Sequence, residues 1–465
     1  MNSFLIKASI LTFFSVLLRF STELQFASYL LIAAYSLFGL RQVILSMLLL
    51  WIFIMINTTI AGPNTFAQIG RILVLFCASF SVLIHYPTLS YLKTSKIFFV
   101  TFIFFIFLIM HSIFLSAIPL LSISKSLYWV ISFLTVYYAW NGLNSEVFSE
   151  FSNTFYNLLV GILLVNFLLI NSSLGYIKNV ELFQGVFDHP NAFGIFCSVV
   201  CSLAIGRFFN MRKKLPYFDF FVMLLSFILI ILSGSRTAGF SIIISFGLSF
   251  VVISFFSSKA KRKLFPFKII YTLSTIVILI LSFSFFTNSP YLYNFINKGY
   301  DINVNKVTEI NKLNIKTPSI PFIQKSSVDY YMDSRGILVS PMLNNIIEQP
   351  FKGIGFGVSS CPECMNIVLD PLFGIPISAP IEKGTLPIAL MEELGFFGLL
   401  LFCIWALTIF RIALVDRKLL LPVFFTLLLI NLGENMLFSP GGFGMFVLII
   451  FGWICASSKS KKLFN

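Results

Sequence analysis

Three cations in short polar segments are the residues of this sequence with the clearest chemical implication. Arg236 lies in SGSRTAGF, which separates two apolar runs, Arg335 lies in DSRG, and Lys383 lies in IEKG. A guanidinium stays charged in a partly dry site, and its planar fork binds two phosphate oxygens at once. Cations of this kind stabilise negative charge that develops on a phosphate group during a reaction. The three residues are therefore candidate ligands for an anionic group.

Each of these cations also has a purely structural interpretation. Arg236 is compatible with an anchor at a helix end, whose side chain extends to the membrane interface. Arg335 is compatible with a solvated loop charge or an ion pair with Asp333, and Lys383 with an exposed surface charge. For Arg236 the functional interpretation is favoured by neighbours such as Gly234, because backbone N–H groups in a short turn and a helix start also bind phosphate.

A histidine with polar neighbours is a candidate for proton transfer. His189 lies in GVFDHPNAFG between Asp188 and Pro190, and Asn191 follows. Asp188 is positioned in the sequence to orient the imidazole, as a partner orients a base. The alternative has equal weight: DHPN caps a helix, because Asp and Asn are strong N-cap residues and proline suits the first turn.

Three glutamates are candidates for pairing with the cations. Glu392 and Glu393 follow the start of one apolar run, and Glu434 lies near the end of the next. Acids near a helix start interact favourably with the helix dipole, so a capping role is one interpretation. Carboxylates that enter a membrane helix are costly unless they are paired. We therefore predict that arginines facing the same cavity pair with these acids, and that Glu434 is a partner of Arg236 or Arg335.

The cysteines predict a local disulfide and no metal site. Cys361 and Cys364 form CPEC, and we expect them to be either disulfide-bonded or two free thiols. Zinc would need two further ligands, which the surrounding loop lacks. The chain has no G-x-x-x-x-G-K-[ST] phosphate loop, and GIGFG at 353–357 lacks the strand-to-helix context of a nucleotide site. We expect a metal-independent chemistry that needs no cofactor.

The composition identifies the elements that must position these residues. Apolar residues make up 58% of the chain, charged residues only 11%, and the mean hydropathy is +0.94. These values are far from those of soluble domains, and many apolar runs approach the roughly 20 residues that a helix needs to cross a membrane. The sequence predicts an all-α polytopic membrane protein with about 14 transmembrane helices (range 12–14) and one large external loop between spans 11 and 12.

The distribution of Lys and Arg predicts the topology. We expect both termini in the cytoplasm, because 19 of the 32 basic residues then lie in cytoplasmic segments and only five in short external connections. The net charge of +14 lies on the cytoplasmic rims, where it interacts with anionic lipid and not with nucleic acid. The predicted spans are 3–19, 24–40, 42–57, 70–86, 97–117, 124–141, 154–171, 190–208, 217–233, 237–256, 267–287, 385–410, 419–437 and 441–456.

Four segments follow from this topology. Residues 1–184 form an N-terminal transmembrane scaffold with few ionisable residues, and residues 185–287 are transmembrane helices with the HPN and GSRT motifs. Residues 288–384 form the large periplasmic or extracellular loop, and residues 385–465 are C-terminal transmembrane helices. In this arrangement nearly all the polar motifs face the external side, whereas His85 and His111 fall at opposite membrane interfaces.

The order of these motifs resembles that of a known family. HPN before a small-residue span, GSRT after an apolar run, SRG followed by GIGFG, and then EELGFFG are similar to the bacterial O-antigen ligase and polymerase family, over roughly residues 185–457. The resemblance implies a helical membrane glycosyltransferase that uses glycans carried by polyprenyl pyrophosphate. It implies a location in the bacterial plasma (inner) membrane, with the active site on the periplasmic or external side.

The resemblance also implies roles for individual residues. Arg236, Arg335 and Lys383 would bind the pyrophosphate, and Asp188, Asn191, Glu393 and Glu434 would support the site. The ligase branch of the family has a histidine base just before the acidic helix, whereas this chain has none of its three histidines there. Glu382 has the nearest position and is the candidate base, with His189 as the alternative. This departure argues against a strict lipid A core ligase.

The function implied by the resemblance is polymerisation of O-antigen, capsule or exopolysaccharide repeat units. Ligation of glycan to lipid A core is the sibling alternative, and a lipid-linked oligosaccharide flippase is the alternative of another class. A transporter of that class has internal repeats and short loops throughout, whereas this chain has the long loop 288–384. The expected partners are the polyprenyl-pyrophosphate-linked donor and acceptor, membrane lipid, and a chain-length regulator and flippase.

Overall fold

A computed structural model describes residues 3–21, 23–64, 66–86, 96–177, 182–210, 217–255, 337–369, 376–378, 383–414 and 417–460. Several predictions concern residues outside this set. Glu382 and Arg335, the predicted span 267–287 and most of the predicted loop 288–384 lie outside the described residues.

The described chain is predominantly helical. A two-stranded antiparallel ribbon pairs β1 (Val368–Leu369) with β2 (Pro376–Ser378), and single 3-10 turns cover Leu169–Asn171, Ser173–Gly175 and Pro362–Cys364. The described α-helices are α1 (Ser3–Arg19), α2 (Gln25–Ser36), α3 (Leu40–Met55), α4 (Thr58–Ala61), α5 (Ala67–His85), α6 (Lys96–Phe114), α7 (Pro119–Asn141), α8 (Ser145–Leu168), α9 (Pro190–Asn210), α10 (Tyr217–Ser233), α11 (Arg236–Phe255), α12 (Ile337–Glu348), α13 (Leu386–Ala413), α14 (Arg417–Gly433) and α15 (Gly444–Ser460).

These helices identify an all-α, multi-pass membrane protein. Each predicted span other than 267–287 coincides with one of the described helices. Among the described residues, seven helical stretches are long and apolar enough to cross a membrane, and several shorter apolar helices accompany them. Apolar length is a local property of the sequence, which is why it predicted these elements.

Helix α9 lies at the centre of the bundle. It packs against α10, α11 and α14, and nearly all of its apolar residues are buried. Small residues in its sequence let neighbouring helices approach closely, as membrane helices require. At Gly206, for example, an added Cβ would lie 2.3 Å from the backbone oxygen of Leu419 in α14.

A charged network closes the end of α9 that follows Gly206. The Arg207 Nε lies 3.3 Å from Asp219 Oδ1, and its Nη1 donates to Asn153 Oδ1 at 2.8 Å. The hydroxyl of Tyr156 donates to the same Asp219 oxygen at 2.8 Å. The network ties α8, α9 and α10 together at this end of the bundle. The segment that precedes α9, with His189, lies at the opposite end.

Candidate functional site

The motif segments that are far apart in the sequence meet at one end of the bundle. Asn191 Nδ2 donates to Glu434 Oε1 at 3.3 Å, which joins the start of α9 to the segment after α14. An added Cβ at Gly433 would lie 2.5 Å from Thr237 Cγ2, so the first turn of α11 packs on the same segment. The rings of Phe356 and Phe438 are 5.3 Å apart and bring the GIGFG segment (353–357) to it as well. We call residues 433–442, GENMLFSPGG, the GENM turn.

Arg236 begins helix α11 beside the GENM turn. Its side chain is exposed, and Gly234, with a φ of +66°, makes the sharp turn from α10. Among the residues that the structure describes, Arg236 makes no ion pair, so the predicted pairing with Glu434 is not formed. Glu434 contacts Asn191, and the alternative partner, Arg335, lies outside the described residues. A guanidinium with no carboxylate partner beside a helix N-terminus is suited to an anionic ligand.

His189 has the geometry of a helix cap. Its Nδ1 accepts a hydrogen bond from the backbone N–H of Asn191 at 3.1 Å, and both His189 and Asp188 are exposed. Because Nδ1 is the acceptor, the proton of a neutral ring lies on Nε2, which then donates. A base that accepts a proton at Nε2 needs the other tautomer, with the ring proton on Nδ1. The predicted partner of the ring, Asp188, is also replaced, because the backbone N–H of Asn191 contacts Nδ1. The geometry therefore favours His189 as a cap and a hydrogen-bond donor.

The segment that carries His189 is fixed by the N-terminal helices. The backbone N–H of Asp188 donates to Met55 O, and that of Asn57 donates to Val186 O, each at 2.8 Å. The side chain of Asn166 in α8 accepts from Val186 N at 2.7 Å. Asp188 thus supports the site through its backbone, which holds the start of α9 against the end of α3.

Lys383, Glu392 and Glu393 form a buried ion cluster. Lys383 Nζ lies 2.7 Å from Glu392 Oε2 and 3.1 Å from Glu393 Oε1, and its side chain is 2% exposed. Asn345 Nδ2 donates to Glu392 at 2.7 Å, and the backbone N–H of Gly357 donates to Glu393 at 2.6 Å. The two acids are paired, as predicted, but their partner is a lysine.

This geometry corrects the prediction that Lys383 binds the pyrophosphate. Both of its neighbours are carboxylates, and the ammonium is enclosed between them. A ligand phosphate would have to displace two buried negative charges, which is unfavourable because each would lose its counter-charge in a region of low dielectric. Lys383 and Glu393 are therefore structural residues of the site.

Helix α13 is broken directly after these acids. Gly395 has φ 65° and ψ −171°, which is not helical, and the backbone groups released at the break pair with the segment that ends in GIGFG. Ile354 N donates to Glu392 O, Gly355 N to Glu393 O, and Phe396 N to Pro350 O, each at 2.9 Å. Within a membrane protein, a non-helical backbone is tolerated where such partners are present.

Glycine is required on both sides of this pairing. An added Cβ at Gly353 would lie 2.6 Å from Glu393 O, and one at Gly395 would lie 2.2 Å from Phe351 O. Gly353, Gly355 and Gly357 all have positive φ. GIGFG, whose composition is typical of a turn, is an irregular segment of turns and bends, and its backbone pairs with the broken helix.

The N-terminal half contributes three polar contacts that the sequence did not predict. Lys125 Nζ donates to Gly357 O at 2.7 Å, and Arg71 Nη1 donates to Gly441 O at 3.0 Å. His111, predicted at an interface, is buried, and its Nε2 donates to the backbone oxygen of Lys352 at 2.6 Å. The available signal was a polar residue inside an apolar run, which marks functional sites in membrane helices.

Cys361 and Cys364 form a disulfide that closes a 3-10 turn, and this turn follows the GIGFG segment. Among the described residues, no group of three or more His, Cys, Asp or Glu side chains could hold a metal ion.

No family model matches this chain, and a comparison with the curated proteins finds no significant match. The resemblance to the O-antigen ligase and polymerase family therefore stays a prediction that depends on the order of the motifs.

Proposed function

We propose that this chain is a membrane glycosyltransferase that polymerises polysaccharide repeat units at the outer face of the bacterial plasma membrane. Its donor is a glycan on polyprenyl pyrophosphate, and its acceptor is a sugar hydroxyl on a second lipid-linked glycan. The proposal includes about 14 spans, cytoplasmic termini and an external active site, in agreement with the distribution of Lys and Arg.

One observation carries the proposal. The motifs whose order resembles that of the family meet around the GENM turn, although about 80 to 240 residues of sequence separate them from it. Thr237 packs on Gly433, Asn191 donates to Glu434, and Phe356 packs on Phe438. Alternate turns of an antiparallel membrane bundle lie at the same end, but they need not contact one another, whereas the parts of a single active site must.

The roles follow from the charges. The acceptor oxygen attacks the anomeric carbon, the bond from that carbon to the phosphate oxygen breaks, and the diphosphate leaves with the electron pair. Arg236, which is exposed and pairs with no carboxylate of the described residues, binds the diphosphate oxygens and stabilises the charge that develops on them. Arg335 is proposed as its companion, and the Nε2–H of His189 as a further donor. Glu382 is then the candidate base that takes the proton from the acceptor hydroxyl.

We predict that Arg236→Ala reduces chain growth by about 100- to 1,000-fold, because one fixed donor to the developing charge is lost. Arg236→Lys keeps the charge but loses the two-point contact, so it should retain only part of the activity. The measurement is elongation of a lipid-linked repeat unit by the purified chain, beside the glycan ladder of a strain that carries the variant. Cys361→Ser is the control and should elongate normally. Polymer of normal length and amount with Arg236→Ala would contradict the proposal.

Polymerase and ligase give different products in a strain that lacks the gene. A single repeat unit on an otherwise complete anchor supports the polymerase. A bare anchor with accumulated lipid-linked polymer supports the ligase. The variant Glu382→Gln tests the base in the same assay, because it should remove elongation while leaving donor binding in place.

A flippase for lipid-linked oligosaccharides is the second candidate, and the broken helix α13 favours it. Transporters build their substrate sites from discontinuous helices, and the break at Gly395 is of that kind. Sealed proteoliposomes separate the two functions. A glycosyltransferase lengthens the glycan on the lipid, whereas a flippase moves an unchanged lipid-linked glycan across the bilayer.

A further inference from the structure

Arg71 is a cation inside an apolar helix. It pairs with no carboxylate of the described residues. It lies near the start of α5, a helix long and apolar enough to span the membrane, and its side chain is half-buried. Nη1 donates to Gly441 O at 3.0 Å, and the guanidinium lies 5.8 Å from the centre of the Tyr128 ring. No carboxylate of the described residues lies within 4.0 Å of it, whereas Lys383 has two such partners.

Comparison with Arg19 separates a structural arginine from one that is available for a ligand. Arg19 is 1% exposed, and its two terminal nitrogens donate to the backbone oxygens of Ala61 and Gly62. These carbonyls end the short helix α4, so Arg19 has the role of a cap. Arg71 uses one terminal nitrogen for a protein acceptor and is partly accessible. Its remaining donors have no protein acceptor among the described residues.

Arg71 lies on the same turn as the proposed active site. The GENM turn begins at Gly433, which packs on Thr237 beside Arg236, and it ends near Gly441, which packs on Arg71. The guanidinium of Arg71 packs closely on Gly441, because an added Cβ there would lie 2.2 Å from Arg71 Nη1. Arg236 and Arg71 thus border opposite ends of one segment, and neither pairs with a carboxylate of the described residues.

We infer that Arg71 is a ligand of a diphosphate group, and that it holds this group together with Arg236. The inference rests on the proposed function for the identity of the lipid carrier, but it requires only that the site binds a diphosphate. A guanidinium in a partly dry site, with the ring of Tyr128 behind it, keeps several donors for phosphate oxygens. The first 184 residues then contribute directly to substrate binding.

The experiment measures the binding of two probes to the purified full chain in lipid nanodiscs. The probes are polyprenyl pyrophosphate without a sugar and inorganic pyrophosphate. Arg71→Gln should weaken binding by about 10- to 100-fold, because charge-assisted hydrogen bonds are lost, and Arg71→Lys should give an intermediate value. Arg411→Gln is the matched control. Arg411 is an exposed arginine at the C-terminal end of α13, away from the break at Gly395, so this variant should bind both probes as the wild type does. Binding of both probes shows that the diphosphate is sufficient, and binding of the lipid alone shows that the tail is also needed.

The outcomes separate this inference from the proposed function. Loss of binding in Arg71→Gln, with the wild-type unfolding temperature and no glycan transfer by the wild type, supports the diphosphate site and contradicts the polymerase. Wild-type transfer with unchanged binding in Arg71→Gln overturns the inference and leaves the polymerase intact. If Arg71→Gln does not fold, the affinity of Arg71→Lys is the test. Wild-type affinity of Arg71→Lys for both probes would show that the guanidinium does not bind the diphosphate at two points. Failure of the wild-type chain to bind either probe also overturns the inference.

Discussion

The buried ion cluster around Lys383 illustrates how strongly burial constrains a charged residue. Lys383 and its two glutamate neighbours are removed from water, and each carboxylate also accepts a hydrogen bond, from Asn345 or from Gly357 N. A buried ion pair gives little net stability compared with apolar residues, but it is costly to break, because the remaining partner stays buried and unpaired. Here two carboxylates would lose one common counter-charge.

We predict that Lys383→Met destabilises the protein by about 3–5 kcal/mol, because two buried carboxylates lose the ammonium that lies between them. Lys352→Met is the control, because Lys352 is an exposed lysine on the segment that precedes GIGFG. Its effect should stay within about 0.5 kcal/mol. The measurement is denaturant unfolding of both variants in the same detergent. Equal midpoints for the two variants would show that Lys383 is not an essential counter-charge.

The sequence predicted that the acids are paired but not which residue pairs with them. The cost of a carboxylate in a membrane helix is a property of one residue, so it is visible in the sequence. The partner depends on how the chain folds back between Lys383 and Glu392, which is a matter of tertiary structure. The tautomer of His189 similarly depends on one backbone N–H, that of Asn191.

At the scale of elements, the break in α13 is a feature that the sequence did not predict. The run from Leu386 to Ala413 is apolar enough to be a single span, and a lone glycine is common in membrane helices. The break becomes necessary only when the GIGFG segment, some 40 residues earlier, supplies partners for the released backbone groups. Such long-range pairing has no local signal beyond the repeated glycines.

We predict that Gly395→Ala destabilises the protein by at least about 1–3 kcal/mol, because its backbone lies in a region that other residues avoid. The contact between the added Cβ and Phe351 O increases this cost. Gly247→Ala is the matched control. Gly247 is an exposed glycine inside α11 with nothing within 4 Å of an added Cβ, so alanine should stabilise the helix by about 0.5–1 kcal/mol. Unfolding measurements that give the same sign for both variants would refute the role of Gly395 as a helix break.

At the scale of the whole molecule, hydropathy predicted the described helices. It did not predict that the N-terminal half contacts the candidate site. Residues 1–184 were expected to be scaffold, because they contain few ionisable residues. Arg71, Lys125 and His111 nevertheless contact Gly441, the GIGFG segment and Lys352, respectively. Contacts of this range depend on which helices become neighbours, and apolar length carries no information about that.

The proposed topology makes a prediction about which side of the membrane each end of the bundle faces. Thr58, an exposed residue of α4, lies at the end with the GENM turn, because Asn57 pairs with Val186 just before His189. Glu146, an exposed residue at the start of α8, lies toward the Arg207 network.

We therefore expect a membrane-impermeant maleimide to label Thr58→Cys in cells whose plasma membrane is intact and accessible from outside, because this end carries the proposed active site. Glu146→Cys should react only after the membrane is permeabilised, because basic residues retain that end in the cytoplasm. The unmodified chain gives the background from its own cysteines, and permeabilised membranes confirm that both engineered thiols are reactive. Labelling of Glu146→Cys from outside, with protection of Thr58→Cys, would reverse the topology and put the arginines on the side where no lipid-linked polymer is assembled.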